Sequence, residues 1–157
     1  MHSILFVCTG NTCRSSMAEA LAKKILNNLG IVDVIVASAG IYANPDEPAS
    51  DCAIAVGKEM DFELGLHSAR TLTPELLEEN ELILTMTEDH KNTILSLFPE
   101  NNYKVFTLKE YVAGKDKHVN VHDPFGGNME IYRLTARELE VLVKNAVLKF
   151  TGNEAGF

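Results

Sequence analysis

Four short apolar runs are distributed along the chain, and longer amphipathic stretches separate them. These runs are rich in Val, Ile, Leu and Phe and predict strands at residues 3–8, 32–38, 81–86 and 104–107. Runs that stay apolar at successive positions are typical of strands buried on both faces of a parallel sheet. The pattern therefore predicts a four-stranded parallel sheet that is covered on both sides.

Helical spacing and capping residues occupy the intervals between these runs, and the stretch after Thr107 is expected to be a loop. Strands that alternate with helices predict an α/β fold, a doubly wound sheet in one domain over residues 1–157, with a frayed tail at 151–157. The predicted helices are 15–29, 48–60, 87–98, one that begins at Pro74 behind the cap Thr73, and a long last helix that ends near Gly152.

The connection between the first strand and the first helix, CTGNTCRS at residues 8–15, predicts an anion site. A loop of this length can direct its backbone N–H groups toward one point at a helix start. In doubly wound sheets ligands bind beyond the carboxyl ends of the strands, where Cys8 lies. Arg14 carries a planar fork of donors that fits two oxygens of a phosphate. We therefore expect a phosphate-binding loop in which Cys8 is the nucleophile and Arg14 binds the phosphoryl oxygens.

Other residues of this loop fit the same chemistry. A nucleophilic cysteine must be a thiolate, and a helix amino terminus with a neighbouring arginine favours the ionised form. The Ser15 hydroxyl can donate to the sulfur, and Gly10 and Asn11 tolerate the positive φ values that a phosphate cradle needs. A cysteine at the end of a strand is otherwise a packed apolar residue. The order of strand, loop, Arg-Ser and helix favours catalysis over packing.

Charge and cysteine usage limit the possible partners and compartment. The chain has 22 acidic and 14 basic side chains, a net charge of −8, which argues against nucleic-acid binding. Its apolar runs are far shorter than the roughly 20 residues of a membrane span, and residues 3–8 lack the basic flank and length of a signal peptide. Cys8, Cys13 and Cys52 show no metal-ligand spacing. We expect a cytoplasmic monomer with reduced thiols, in which Cys52 is a packing residue.

The phosphate loop and the sequence that follows it, VCTGNTCRS and then Met17-Ala18-Glu19, resemble the active-site loop of low-molecular-weight protein tyrosine phosphatases. The segments 38–40, 67–70 and 123–124 match the same family in order and spacing, so the resemblance covers nearly the whole chain. It implies a flavodoxin-like fold, phosphorylated proteins as substrates, a phosphocysteine intermediate and no metal or cofactor. Ser16 stands where many relatives carry proline, and serine there is expected to weaken the helix start slightly.

Asp123 is the second group that the chemistry requires. The group that leaves phosphorus must receive a proton, and a carboxylic acid on a rigid loop supplies it. Pro124 restricts the backbone after Asp123, and Gly126-Gly127 allows a sharp turn into the last helix. An Asp-Pro pair by itself more often marks a turn. The resemblance implies that Asp123 is the general acid and then the base that activates water.

Thr12 and Phe125 bear on the substrate. The tyrosine-specific branch usually carries a bulky aliphatic residue at the position of Thr12 and aromatic residues, often a tyrosine pair, where this chain has Phe-Gly-Gly. A small hydroxyl residue and Asp-Pro-Phe-Gly-Gly resemble bacterial protein-arginine phosphatases. This favours phosphoarginine in proteins as the substrate, with phosphotyrosine as the alternative. Thr12 orients the substrate or water, or else bonds its own backbone; Phe125 either lines the cleft or anchors its loop on the core.

Several residues are expected to support the phosphate loop, which Thr9 completes. The resemblance implies a hydrogen bond between His67 and Asn11, and Ser38, at the end of the second strand, is placed to support the loop as well. Cys13 is close enough in sequence to Cys8 for a reversible disulfide under peroxide; otherwise it is a packed thiol. No role is assigned to His2, His90, His118 or His122, and Glu19, Lys109 and Glu110 are expected to be solvated.

Three other functions use comparable loops. Thioredoxin-coupled arsenate reductases share this loop and fold, but they need further cysteines downstream, and none follows Cys52. A silent phosphate-binding module does not require Cys8, Arg14 and Asp123 together. The nucleotide-binding motif G-x4-G-K-[ST] is absent from the sequence.

Overall fold

A computed structural model describes residues 2–114 and 119–153. All strand pairs of its sheet are parallel. The strands are β1 (His2–Cys8), β2 (Val34–Gly40), β3 (Leu82–Thr85) and β4 (Val105–Thr107), and the helices are α1 (Arg14–Asn28), α2 (Asp51–Met60), α3 (Pro74–Glu79), α4 (Glu88–Leu97), α5 (Leu108–Ala113) and α6 (Met129–Thr151).

The strand order is β2-β1-β3-β4, so β1 lies inside the sheet with β2 on one side and β3 and β4 on the other. β1 is therefore flanked by strands whose connections leave toward opposite sides. The crevice at the carboxyl end of such a strand is the usual ligand site of doubly wound sheets. Cys8 is the last residue of β1 and lies at this point.

Alternate side chains of β1 divide the core into two layers. Ile4 and Phe6 pack with α1, α2, α5 and α6 on one face of the sheet, whereas Leu5 and Val7 pack with α3 and α4 on the other. All four side chains are completely buried. The expectation of a doubly wound parallel sheet with helices on both faces is therefore confirmed.

Most element boundaries shift by a few residues from those predicted. β2 starts at Val34 and runs on to Gly40, and α1 starts at Arg14. α2 starts at Asp51 and not at residue 48, because the Ser50 hydroxyl accepts a hydrogen bond from the backbone N–H of Ala53 and caps the helix there. The last helix ends at Thr151, with Gly152 as its C-cap, which agrees with the prediction of an end near Gly152. Residues 154–157 of the expected tail lie outside the described residues.

Helix α5 corrects the prediction of a loop after Thr107. Thr107 accepts from the N–H of Glu110, and the Glu110 carboxylate accepts from the N–H of Thr107, which forms a capping box. This T-x-x-E pattern is a helix-start signal in the sequence. The segment that follows is rich in Gly, Lys, Asp and His, which is typical of a loop, and this composition led to the prediction of a loop despite the helix-start signal.

The expectation that three charged residues are solvated was wrong. Glu19 accepts hydrogen bonds from Ser38 Oγ and Lys23 Nζ, each at 2.5 Å. Glu110 and Lys109 are mostly buried and form ion pairs with other helices. In the described part of the chain, no helix has the length and apolar character needed to cross a membrane.

Candidate active site

The loop between β1 and α1 is compact and mostly buried. Cys8 is 3% exposed, Arg14 is 5% exposed and Asn11 is fully buried. Asn11 has a φ of 60°, the left-handed region that Asn tolerates better than most residues. Gly10 does not adopt a positive φ, so that part of the prediction was wrong. The left-handed conformation at Asn11 turns the chain back toward the start of α1.

Ser15 and Asn11 form a polar chain that ends at the Cys8 sulfur. Ser15 Oγ lies 2.8 Å from Cys8 Sγ. Asn11 Nδ2 donates to Ser15 Oγ at 2.9 Å and to Ser38 Oγ at 2.8 Å. Because the Ser15 oxygen already accepts from Asn11, its own hydrogen can point to Cys8. A donor at this position stabilises a negatively charged sulfur.

The Asn11 side chain is held in one orientation from behind. Its Oδ1 accepts from the backbone N–H of Arg70 at 3.0 Å, which leaves Nδ2 to donate to the two serines. His67 Nε2 donates to the backbone carbonyl of Asn11 at 2.6 Å, so the hydrogen bond that the resemblance implied is present. The Ser38 hydroxyl in turn donates a hydrogen bond to Glu19 Oε1. Ser38 and His67 therefore both contact Asn11 of the loop, and neither lines the cleft beside Cys8.

Gly40 allows the end of β2 to approach the loop. A Cβ at this position would lie 2.5 Å from the carbonyl oxygen of Thr9 and 3.0 Å from the backbone nitrogen of Asn11. The backbone N–H of Gly40 donates to Arg70 O at 2.9 Å. Only glycine allows this contact between strand and loop. The motif containing Gly40 is visible in the sequence, but its role depends on the packing of β2 against the loop.

Arg14 connects the loop with the segment that contains Asp123. Its Nη1 donates to the carbonyl of Val121 at 3.1 Å, and its Nη2 lies 3.4 Å from Asp123 Oδ2. The Asp123 side chain is 52% exposed. Its Oδ1 accepts from the backbone N–H of Phe125 at 3.1 Å, which orients the carboxylate. The guanidinium is thus held in place by one backbone carbonyl, with a carboxylate beside it.

A cleft of about 300 Å³ opens above the loop. Phe125 is 78% exposed and lines the cleft, so the alternative that it anchors its loop on the core was wrong. Asn44 and Glu47 were not predicted, since only the tertiary fold brings their turn to this edge of the sheet. The cleft is lined by Cys8, Thr9, Gly10, Thr12, Cys13, Arg14, Asn44, Glu47, Asp123 and Phe125.

Cys13 and Cys8 are both free thiols with different partners. Cys13 Sγ lies 3.2 Å from Tyr132 Oη, 3.6 Å from Ser50 Oγ and 3.8 Å from Thr12 Oγ1. Burial and the neighbouring Cys13 raise the pKa of Tyr132 to about 12, so its hydroxyl stays protonated. The half-buried Cys52 packs against the core, as predicted.

His90 is a buried neighbour of the loop that the sequence does not single out. The residue is 7% exposed, and its Nε2 lies 2.9 Å from Thr9 Oγ1. Its Nδ1 is buried without a hydrogen-bond partner among the described residues. Burial and the positive charge of Arg14 lower the pKa of His90 to about 4, which keeps the ring neutral at neutral pH.

Comparison with known proteins agrees with this geometry. The chain is 49% identical over 141 residues to the protein-arginine-phosphatase of Bacillus subtilis (strain 168), covering 90% of this chain and 91% of that one. It is 36% identical over 143 residues to the low molecular weight protein-tyrosine-phosphatase PtpB of Staphylococcus haemolyticus, covering 89% of this chain and 94% of the other.

A solved structure of YwlE arginine phosphatase, a cysteine-to-serine mutant with a phosphorylated active-site serine, superposes with a TM-score of 0.90. The identity is 44%, and 98% of each chain is covered. The sequence model of the family described as low molecular weight phosphotyrosine protein phosphatase matches residues 3–153. The chain therefore belongs to the low molecular weight phosphotyrosine protein phosphatase family.

Proposed function

We propose that this chain, as one phosphatase domain, dephosphorylates phosphoarginine in proteins through a phosphocysteine formed on Cys8. The observation that carries the proposal is that Cys8, Arg14 and Asp123 line one cleft, with Arg14 Nη2 3.4 Å from Asp123 Oδ2. Two kinds of similarity support it. The chain is similar to proteins named protein-arginine-phosphatase, and to an arginine phosphatase that carries a phosphoryl group on a serine in place of its cysteine.

In the first step the Cys8 thiolate attacks phosphorus. The S–P bond forms and the P–N bond to the arginine side chain breaks, with its electron pair leaving on nitrogen. The protonated Asp123 gives its proton to that nitrogen, so arginine leaves with an intact guanidinium and the carboxyl becomes a carboxylate. The Arg14 guanidinium binds two of the phosphoryl oxygens and stabilises their charge during transfer.

In the second step water hydrolyses the phosphocysteine. The Asp123 carboxylate takes a proton from the water as its oxygen bonds to phosphorus, and the S–P bond breaks. Inorganic phosphate, the Cys8 thiolate and protonated Asp123 result. The Ser15 hydroxyl, 2.8 Å from the sulfur, stabilises the thiolate as nucleophile and as leaving group. The residues thus return to their starting protonation states.

Substrate choice is assigned to Thr12 and Phe125, which lie in the walls of the cleft. The Thr12 hydroxyl offers a donor and an acceptor to the N–H groups of a phosphorylated guanidinium or to the attacking water. A phenyl ring offers no hydrogen-bonding partner to this hydroxyl. Thr12 is therefore expected to favour phosphoarginine over phosphotyrosine.

Phosphotyrosine is the second candidate substrate. Phe125 is 78% exposed at the cleft and presents an apolar ring against which a phenyl group can stack. Similarity to PtpB, which is named a protein-tyrosine-phosphatase, favours the same candidate. Arsenate reduction is not favoured, because it needs further cysteines downstream and the sequence has none after Cys52.

The test compares kcat/KM for a phosphoarginine protein and for a phosphotyrosine peptide, with the native chain, Thr12→Ile and Thr12→Ser. The native chain is expected to prefer phosphoarginine. Thr12→Ile shifts the ratio toward phosphotyrosine, whereas Thr12→Ser keeps the hydroxyl and the preference. A native preference for phosphotyrosine, or an unchanged ratio in Thr12→Ile, contradicts the proposed specificity.

The phosphocysteine is tested separately by rapid-quench labelling with a radioactive phosphorylated substrate. Label is expected on the sulfur of Cys8 during turnover. Cys8→Ser is expected to keep the fold and lose turnover. If no sulfur-linked phosphate is captured, the proposed mechanism is wrong whatever the substrate.

We further propose that the enzyme works as a monomer in the cytoplasm, where its thiols stay reduced, and that peroxide joins Cys8 and Cys13 reversibly. All three cysteines are free, and Cys8 and Cys13 line the same cleft. A disulfide would protect Cys8 from irreversible oxidation. Mass spectrometry after mild peroxide tests this, since an overoxidised Cys8 without the Cys8–Cys13 bond contradicts it.

A further inference from the structure

The charges of the cleft are arranged by depth. Arg14, at the base, is 5% exposed, and two carboxylates, Asp123 and Glu47, lie in the walls. The proposed mechanism uses Arg14 for the phosphoryl group and Asp123 for proton transfer. It gives Glu47 no role, although a carboxylate in a site that binds a phosphoryl dianion repels that dianion unless another group compensates.

The backbone of Glu47 is fixed from both sides. Its carbonyl accepts from the N–H of Ala69 at 2.8 Å, and its own N–H donates to the carbonyl of Asn44 at 3.2 Å. The preceding residue, Asp46, has a φ of 71° and donates its N–H to Ala69 O at 2.8 Å. Pro48 follows and restricts the backbone further. Glu47 therefore projects from a defined position.

The segment that carries Glu47 is also bonded directly to the phosphate loop. The N–H of Tyr42 donates to Thr9 O at 2.9 Å, and the N–H of Ser50 donates to Thr12 O at 3.0 Å. These bonds enclose the segment on both sides of Glu47. The distance between the Glu47 backbone and the phosphoryl site is therefore set by hydrogen bonds and does not depend on a loop closing.

The Glu47 side chain is oriented by a neighbour that lines the same cleft. Asn44 Nδ2 donates to Glu47 Oε2 at 3.3 Å. A carboxylate offers about four lone-pair positions on its two oxygens, and Asn44 occupies one. The remaining capacity can accept N–H groups of a ligand, and a planar group with several parallel N–H donors fits a carboxylate best.

We propose that Glu47 is a specificity-determining residue that accepts hydrogen bonds from the unphosphorylated N–H groups of the substrate guanidinium. The inference rests on the proposed function, since it concerns the phosphoarginine substrate of the same cleft. With the phosphoryl group on Arg14, the guanidinium carbon and its other nitrogens follow directly toward the cleft mouth. A phosphotyrosine presents ring carbons there, which cannot compensate the charge of Glu47. The carboxylate thus favours phosphoarginine and disfavours phosphotyrosine.

The test uses Glu47→Gln, which removes the charge and keeps the shape, with Asp46→Asn as the matched control. Asp46 is the adjacent carboxylate and does not line the cleft, and Asn tolerates its left-handed φ. The substrates are a phosphoarginine peptide whose other residues are uncharged, the same peptide with a lysine beside the phosphoarginine, and an uncharged phosphotyrosine peptide.

Glu47→Gln is expected to lower kcat/KM for the uncharged phosphoarginine peptide by about 10-fold, the value of one charge-assisted hydrogen bond, mainly through KM. The same variant is expected to keep or raise kcat/KM for the phosphotyrosine peptide. Asp46→Asn is expected to leave the ratio of the two substrates unchanged.

The possible failures are distinguishable. If the native chain prefers phosphotyrosine, the proposed function itself fails. If the native chain prefers phosphoarginine but Glu47→Gln leaves the ratio unchanged, only the assignment of Glu47 is overturned. The assignment is also overturned if the loss appears only for the lysine-containing peptide, because Glu47 then binds a flanking residue, or if Asp46→Asn has the same effect, because the effect is then one of general charge.

Discussion

The Ser15 hydroxyl lies 2.8 Å from the Cys8 sulfur, and its oxygen accepts a hydrogen bond from the Asn11 side chain. The three groups therefore form a directional chain in which the amide donates to the hydroxyl and the hydroxyl donates to sulfur. Because all three are buried, water cannot replace a missing donor at low cost.

Ser15→Ala is expected to lower kcat by about 10- to 100-fold, the effect of one hydrogen bond to a charged group. The thiolate loses its donor, so alkylation of Cys8 by iodoacetamide at neutral pH slows as well. Ser16→Ala is the matched control, since the Ser16 hydroxyl donates to the Cys13 carbonyl and not to Cys8. Equal rates in the two variants would contradict a role for the Ser15 hydroxyl at the sulfur.

Arg14→Lys is expected to lower kcat/KM by about 100-fold or more, because one ammonium cannot reproduce the two-point contact of the guanidinium fork. Arg14 Nη1 already donates to Val121 O, which holds the guanidinium in place and leaves Nε and Nη2 as donors for two phosphoryl oxygens. Arg133→Lys is the control, since Arg133 lies on the outer surface of α6 and pairs with Glu59. Affinity for inorganic phosphate, measured by calorimetry, is expected to fall only in Arg14→Lys.

Asp123→Asn removes the proposed acid and keeps the side-chain shape. Rates are expected to fall most for substrates whose leaving groups are poor, since these need the proton most. A series of aryl phosphates gives the measurement: log kcat plotted against the leaving-group pKa is expected to be shallow for the native chain and steep for Asp123→Asn. Parallel lines would assign the proton donor to another group.

Gly40→Ala is expected to shift the phosphate loop. The new Cβ would lie 2.5 Å from the Thr9 carbonyl oxygen and 3.0 Å from the Asn11 backbone nitrogen, and these backbone atoms cannot rotate away. We expect a loss of about 1–3 kcal/mol in the free energy of unfolding in urea, and about 100-fold in kcat/KM if the loop moves by about 1 Å. Gly10→Ala is the stability control, since its Cβ would meet Thr12 Oγ1 at an ordinary 3.7 Å.

The sheet could be predicted from the sequence because each strand contains two or more consecutive apolar residues, and β1 is completely buried from Ile4 to Val7. Helix α5 was missed because only its capping box, Thr107 with Glu110, marks it. A local signal of four residues is weak against the loop-forming composition that follows.

Residues of the candidate site also differ in how far the sequence alone could identify them. Cys8, Arg14 and Ser15 lie within one eight-residue segment, so the order of strand, loop and helix was enough to predict that they come together. Asp123 is far away in sequence and was identified by resemblance alone. Glu47 and His90 were not identified, because they come to the loop only when β1, β2 and β3 align their carboxyl ends, a contact that a single sequence does not display.

His90 makes stability depend on pH in a defined direction. Burial and Arg14 lower the pKa of His90 to about 4 in the folded protein, against about 6.5 for an exposed histidine. Between these values the unfolded chain binds a proton that the folded chain does not. The part of the stability that depends on a neutral His90 is therefore fully present above pH 6.5 and is lost as the pH falls toward 4. The loss attributable to His90 is about 1–3 kcal/mol.

His90→Asn removes the titrating ring and keeps a polar side chain near Thr9 Oγ1. The difference in stability between native and variant therefore separates the pH dependence due to His90 from that of the carboxylates and the other histidines. Urea unfolding at pH 7.5 and 4.5 gives the measurement. The stability advantage of the native chain over His90→Asn is expected to be greater at pH 7.5 and to shrink at pH 4.5, because only the native chain must keep a buried histidine neutral. An advantage that is equal at both pH values would mean that His90 titrates alike in the folded and unfolded states. The buried Nδ1, which has no hydrogen-bond partner among the described residues, would then carry no electrostatic cost.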